Sequence, residues 1–165
     1  MRIRTLMLIV LGPWSISLAP ADDKAVKEEL ERHQGTWRAT SSVYDGEEAP
    51  EAVVRSITRV VEEDHVAWKR DGKSFAGTRI ELDPSRDPKA MDVIPDGGKD
   101  RGERVLGIYK LEKDRLTICM AAPGKPRPGA FKADKGSGCT LRTFIREAAP
   151  ASGGRKASRS SAPLR

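Results

Sequence analysis

The sequence is poor in the side chains around which most enzymes and metal proteins are built. It has two histidines, His33 and His65, and two cysteines, Cys119 and Cys139. A zinc site needs three or four convergent Cys, His or carboxylate ligands, and neither histidine has a partner at ligand spacing. No Gly-x-Ser-x-Gly motif occurs, and Gly97-Gly98-Lys99 lacks the following helix that would make it a phosphate loop. No catalytic residue, metal or cofactor is expected, and the chain does not read as an enzyme. No internal repeat is found. Long apolar runs are also missing. The one near the front, Leu6 to Leu11, stops at Gly12-Pro13, well short of the ~20 residues that span a bilayer.

The charge is unevenly placed. A net charge of +6 ordinarily raises nucleic acid as a partner. Arg2 and Arg4 lie in the first stretch, and Arg155, Lys156, Arg159 and Arg165 lie after Ala148, where there is no acid. Residues 22–147 are therefore neutral overall, and the body is not a basic nucleic-acid module. The basic start, the short apolar core and the small residues of Ala19-Pro20-Ala21 read as a signal peptide over residues 1–21, cut after Ala21. No Cys follows the cut to carry a lipid. The expectation is an exported chain, periplasmic or secreted, with no transmembrane segment once mature. Residues 148–165 are Ala, Ser, Gly, Pro and basic residues with almost no apolar bulk. Such a tail cannot offset the entropy of ordering. It reads as a disordered spacer or as a weak electrostatic contact to an anionic surface.

In the body, Asp22 or Asp23 can cap a helix running to about His33, with Val26 and Leu30 as its apolar stripe and His33 at the next step. Gly35 suits the exit from that helix. The period then changes to two: Trp37, Ala39, Ser41 and Val43 alternate with Arg38, Thr40 and Ser42 up to the turn at Asp45-Gly46. A polar, helix-like bridge covers 49–55. Strands are predicted at 57–62, 65–69, 74–83, 89–94, 104–112, 115–121 and 140–147. Asp71-Gly72 is a strong hairpin signal. A two-residue turn at Lys113-Asp114 pairs Leu111 with Leu116 and Tyr109 with Ile118. That register puts Tyr109, Leu111, Leu116, Ile118 and Met120 on one face.

Eight antiparallel segments with short connections fit an all-β, eight-stranded up-and-down barrel with a short N-terminal helix, which removes its sheet edges by closing. Such a barrel either packs solid or holds one small ligand. With only three Phe, two Tyr and three Trp, one of these in the first 21 residues, the interior is expected to keep a small or partly filled cavity.

The motif Gln34-Gly35-Thr36-Trp37, a Gly-x-Trp opening the first strand, resembles the signature of lipocalin-type barrels. Further along stand Asp71-Gly72-Lys73, Leu82-Asp83-Pro84-Ser85, Pro88-Lys89-Ala90-Met91-Asp92 and Gly107-Ile108-Tyr109-Lys110-Leu111. Leu116-Thr117-Ile118-Cys119 and Pro123-Gly124-Lys125-Pro126-Arg127-Pro128 with Phe131 follow. In combination, over about residues 30–146, these resemble a family of lipocalin-like domains of unknown function from planctomycete bacteria. The resemblance implies an exported β-barrel domain with no established activity. It also implies that Trp37 packs under a basic residue of the last strand, with Arg146 the matching residue and Arg142 the fallback. Cys139 and the basic tail depart from the family pattern.

Two functional readings follow. In the first, the barrel binds a small apolar or amphipathic molecule. Trp68 or Phe75, which could equally lie outside, would line the interior with Tyr109, Ile118 and Met120, and Arg127, held extended between prolines, would stand at the rim or, in a stiff connector, meet a surface carboxylate. The mouth would be ringed by loops near Asp45-Gly46, Asp83–Pro88 and Pro123–Phe131. In the second, a structural or interaction domain with a packed interior works through its loops and tail. Asp83, Asp87, Asp92 and Asp96 cluster in sequence and could hold Ca²⁺; as turn residues they would instead bond their own backbone. An exported chain with two cysteines raises a Cys119–Cys139 disulfide. The register places Cys119 opposite to Ile118, while alternation leaves open whether Leu141 and Ile145 or Phe144 faces inward. A Cys139 pointing into the barrel would rule the bridge out.

Overall fold

The computed structural model describes residues 23–148. The signal-peptide reading and nearly all of the tail fall outside these residues. Helix α1 (Asp23–His33) precedes β1 (Gly35–Tyr44), a two-residue β2 (Glu47–Glu48) and a short α2 (Glu51–Ser56). Then come β3 (Ile57–Glu62), β4 (His65–Arg70), β5 (Lys73–Asp83), β6 (Ala90–Pro95), β7 (Val105–Glu112), β8 (Arg115–Met120) and β9 (Thr140–Arg146). Strands β3 to β9 pair antiparallel with their sequence neighbours. Strand β1 joins the two ends, pairing with β3 through residues 35–38 and with β9 through residues 37–44. The result is a closed eight-stranded antiparallel barrel of lipocalin-like form with β2 appended to its margin.

The turns follow from local chemistry. At Asp71-Gly72 both residues take positive φ (49° and 77°), the mirror-image turn whose twist matches that of the flanking strands. The β7–β8 hairpin has the expected register, Leu111 opposite Leu116 and Tyr109 opposite Ile118. All five residues of its predicted face belong to the barrel core or pack against it. In β9 it is Phe144 that faces inward, fully buried, between Arg142 and Arg146.

The helix differs from expectation. Its buried residues are Glu29 and His33, while Val26 and Leu30 are half-buried. The reason lies in what α1 covers. Glu29 receives Lys89 Nζ at 2.5 Å, Arg32 Nη1 at 2.7 Å and the Tyr109 hydroxyl at 3.2 Å, so a carboxylate rather than an alkyl group fits the seat. Burial acts to raise its pKa, but the Lys89, Arg32 and Tyr109 contacts outweigh it and hold the carboxyl below its ordinary value.

The end of α1 accounts for the Gln-Gly-x-Trp motif. The last four carbonyls of a helix lack intrahelical donors, and here each finds one. Gln34 Nε2 donates to the Leu30 carbonyl at 2.8 Å and the Gln34 backbone N–H to Glu31 at 3.3 Å. Arg146 Nη2 donates to Arg32 at 2.6 Å, and the Trp37 indole N–H to His33 at 2.8 Å. Gly35 sits at φ 98° with Arg146 beside the space a Cβ would occupy. Trp37 is fully buried, and the Arg146 guanidinium lies 4.1 Å from its ring centroid. Helix, first strand and last strand are thus tied together at one end of the barrel.

The long segment 121–139 lies on the outer wall. Cys119 Sγ donates to the Lys132 carbonyl at 3.2 Å. Ala90, Ile94, Ile108, Cys119 and Ala133 are buried apart from the main core.

Candidate functional site

The core fills only part of the barrel. Trp37, Val61, Val66, Leu82, Tyr109 and Leu116 pack the half next to α1. Beyond them a cavity of about 790 Å³ opens towards the other end. Its walls include Ile57, Ile80, Met91, Val93, Ile118, Met120 and Phe144, and its rim includes Arg70, Phe75, Pro95, Asp96 and Gly97. The volume lies within the range of about 300–1,000 Å³ usual for small-molecule pockets.

Of the expected lining residues, Trp68, Phe75, Ile118 and Met120 line this cavity. Trp68 is partly buried and donates its indole N–H to Thr78 Oγ1 at 3.2 Å. Phe75 is 57% exposed at the rim, with the Arg70 guanidinium 5.4 Å from its ring. Two expected residues are elsewhere. Tyr109 is buried under α1, its ring edge-on to His33 at 4.9 Å, because its hydroxyl seeks Glu29. Arg127 is not at the rim. It lies on the outer wall, where Nη1 meets Asp92 Oδ1 at 2.6 Å and donates to the Gly107 carbonyl at 2.5 Å.

The predicted ring of loops is also corrected. Asp83–Pro88 connects β5 to β6 at the α1 end, away from the opening. Asp45-Gly46 packs against Lys135 and Gly138 without lining the cavity. Residues 123–131 run over the outer wall. The rim is built instead from the Arg70–Gly77 hairpin and the Pro95–Gly98 segment. Three of the four aspartates that cluster in sequence are taken up by different partners. Asp83 accepts from Ser85 and Arg86 in its own turn, Asp92 meets Arg104 and Arg127, and Asp96 is 4.0 Å from His65. Among the described residues no group of three or more His, Cys, Asp or Glu is placed to hold a metal ion.

Cys119 and Cys139 are free thiols in this structure. Burial, with Cys139 beside it, pushes the Cys119 thiol up. Both cysteines lie on the outer side of the wall, clear of the cavity.

Two residues of the cavity have no place in the expected lining: Arg59, which the sequence does not single out, and Arg142, expected only as the fallback for Arg146 over Trp37 and found instead over Trp68. Arg59 is 1% exposed and, among the described residues, none of its three guanidinium nitrogens has a hydrogen-bond partner. It lies 5.7 Å from the ring centroids of both Trp68 and Phe144. Burial lowers its pKa to about 9, so it is charged at neutral pH. Arg142 lines the same cavity, 5.6 Å from Trp68, with one hydrogen bond, Nε to Ser42 Oγ at 3.3 Å. Burial lowers its pKa as well. The signal for Arg59 was present: it alternates with Ile57 and Val61, so an inward Ile57 and Val61 carry it inward too. For Arg142 the signal was its step of two from Phe144.

No protein-family model, curated protein or solved structure matches the chain.

Proposed function

We propose that this chain is an exported lipocalin-like domain that takes one small amphipathic molecule into its barrel and performs no chemistry on it. The supporting observation is the interior cavity of about 790 Å³, closed beneath by the Trp37–Tyr109 layer and α1 and walled mainly by apolar side chains. Burying apolar ligand surface there, at ~25 cal/mol per Å², supports micromolar binding with few polar contacts. The sequence signals at residues 1–21 and the family resemblance support export, and the basic tail would add at most weak contact with an anionic surface.

The test is titration with an uncharged environment-sensitive dye. One saturable site is expected, and Met120→Trp, which fills the wall beside Gly107, is expected to weaken binding at least tenfold. No saturable binding, or binding untouched by Met120→Trp, would refute the pocket reading and favour an interaction domain acting through its surface.

A further inference from the structure

The cavity holds cationic groups that the fold itself leaves without anionic partners. An isolated charge removed from water is costly, and proteins ordinarily pair it or hydrogen-bond it. Among the described residues Arg59 has neither kind of partner. Its lowered pKa has burial as its cause, with no carboxylate close enough to raise it. Nor is it placed by mere stem packing, since all three nitrogens are buried with the rest of the side chain.

The surroundings also bear on the charge. The Trp68 and Phe144 rings flank Arg59 and offer their π faces, which soften a buried cation without neutralising it. Arg142 adds a second guanidinium on Trp68. The one acid among the lining residues is Asp96 at the rim, half exposed and next to His65. Around the barrel interior, then, two cations stand together at depth, the apolar walls rise past them, and the acid is kept to the edge. The exposed ion pairs of this protein use their arginines quite differently: Arg104 meets both Glu81 and Asp92, and Arg86 meets Asp83. A sequence able to pair its arginines outside leaves these two unpaired inside.

From this arrangement we propose that the occupant of the barrel is a monoanionic amphipath, bound head-inward with its oxyanion on Arg59 and Arg142 and its apolar body along Ile80, Met91, Ile118 and Met120. A carboxylic acid with an apolar body is the simplest member of the class. The guanidinium fork matches a carboxylate in two parallel hydrogen bonds. The proposal deepens the pocket reading and rests on it. It also gives the direction of entry: the apolar end is the last to enter and lies nearest Phe75.

The experiment is competition against the uncharged dye by dodecanoate, methyl dodecanoate and dodecylamine at pH 7, below their aggregation concentrations, using the full chain. Dodecanoate is expected to bind at least tenfold tighter than the ester, and the amine weakest. Arg59→Met should cost dodecanoate tenfold or more while leaving the ester within about threefold, so that the preference is lost. Arg59→Met also removes an uncompensated buried charge, so its melting temperature without ligand should not fall. Arg142→Gln serves as the second variant, with a smaller loss in the same direction. Equal binding of acid and ester by the parent chain overturns the anionic occupant while leaving the pocket reading intact. An acid preference that survives both substitutions overturns the assignment to these arginines. Displacement of a saturably bound dye by none of the three overturns this proposal while the pocket reading stands on the dye; no dye binding at all removes both.

Discussion

Replacing Arg146 with alanine removes the tie between the helix, the first strand and the last strand. Arg146 is 29% exposed, so solvent screens it only in part. It covers the Trp37 ring, a contact worth about 0.5–2 kcal/mol. It donates to the Gln34 and Arg32 carbonyls, and hydrogen bonds from a charged donor contribute about 1.5–3 kcal/mol each. These terms share one side chain and do not add fully. Its ion pair with Asp114, at 3.5 Å with the carboxylate half exposed, adds little. Loss of about 3 kcal/mol is the working magnitude, which for a domain near this size lowers the melting temperature by roughly 10 °C. Urea unfolding followed by circular dichroism and tryptophan emission measures it. Arg146→Lys should recover less than half of the loss, because an ammonium cannot reach both carbonyls and lie flat on the ring. A change below 1 kcal/mol for Arg146→Ala, with unaltered emission, would refute the clamp.

Three further outcomes are expected. Burial lowers the His33 pKa from 6.5 to about 4, so the folded chain holds the ring neutral while the unfolded chain protonates it; stability is complete above pH 6.5 and falls by about 3 kcal/mol as the pH drops through that window to 4. The lowered pKa of Glu29 acts in the same sense at lower pH, and a His33→Asn variant whose stability falls just as steeply from pH 6.5 to 4.5 would contradict the assignment. Gly107 lies opposite Met120, and a Cβ there would strike the Met120 sulfur and sit 2.8 Å from the Cys119 carbonyl; Gly107→Ala should destabilise by about 1–3 kcal/mol in thermal melts, and an unchanged melting temperature would count against this packing. Cys119 is fully buried and its thiol pKa is raised, whereas Cys139 is partly exposed; mass spectrometry after brief alkylation of the native protein should find Cys139 modified well before Cys119, and equal rates would mean that the segment 121–139 does not cover this wall.

The sequence by itself determined the barrel. Period-two alternation, Asp-Gly turns and short connections specify which segments pair and in what order, because each signal acts between neighbours in the chain. The place of Gln34-Gly35-Thr36-Trp37 beside a basic residue of the last strand was implied by the family resemblance; that the motif also caps the preceding helix came from the structure. Alternation also carried Ile118 and Met120 to the inner face. It could not say how far along that face the packing stops, so Tyr109, on the same face, fell into the solid layer rather than the cavity. Where Glu29 and Arg127 find their partners depends on contacts 60 and 20 residues away, and no local pattern reports such distances. Residues 123–138 were legible as a loop, but their course over the outer wall rests on the apolar surface that β6, β7 and β8 jointly present. Arg59 was readable as inward by its step of two. That it meets no carboxylate there is a property of all eight strands together, since only closing the barrel decides which charges share its interior.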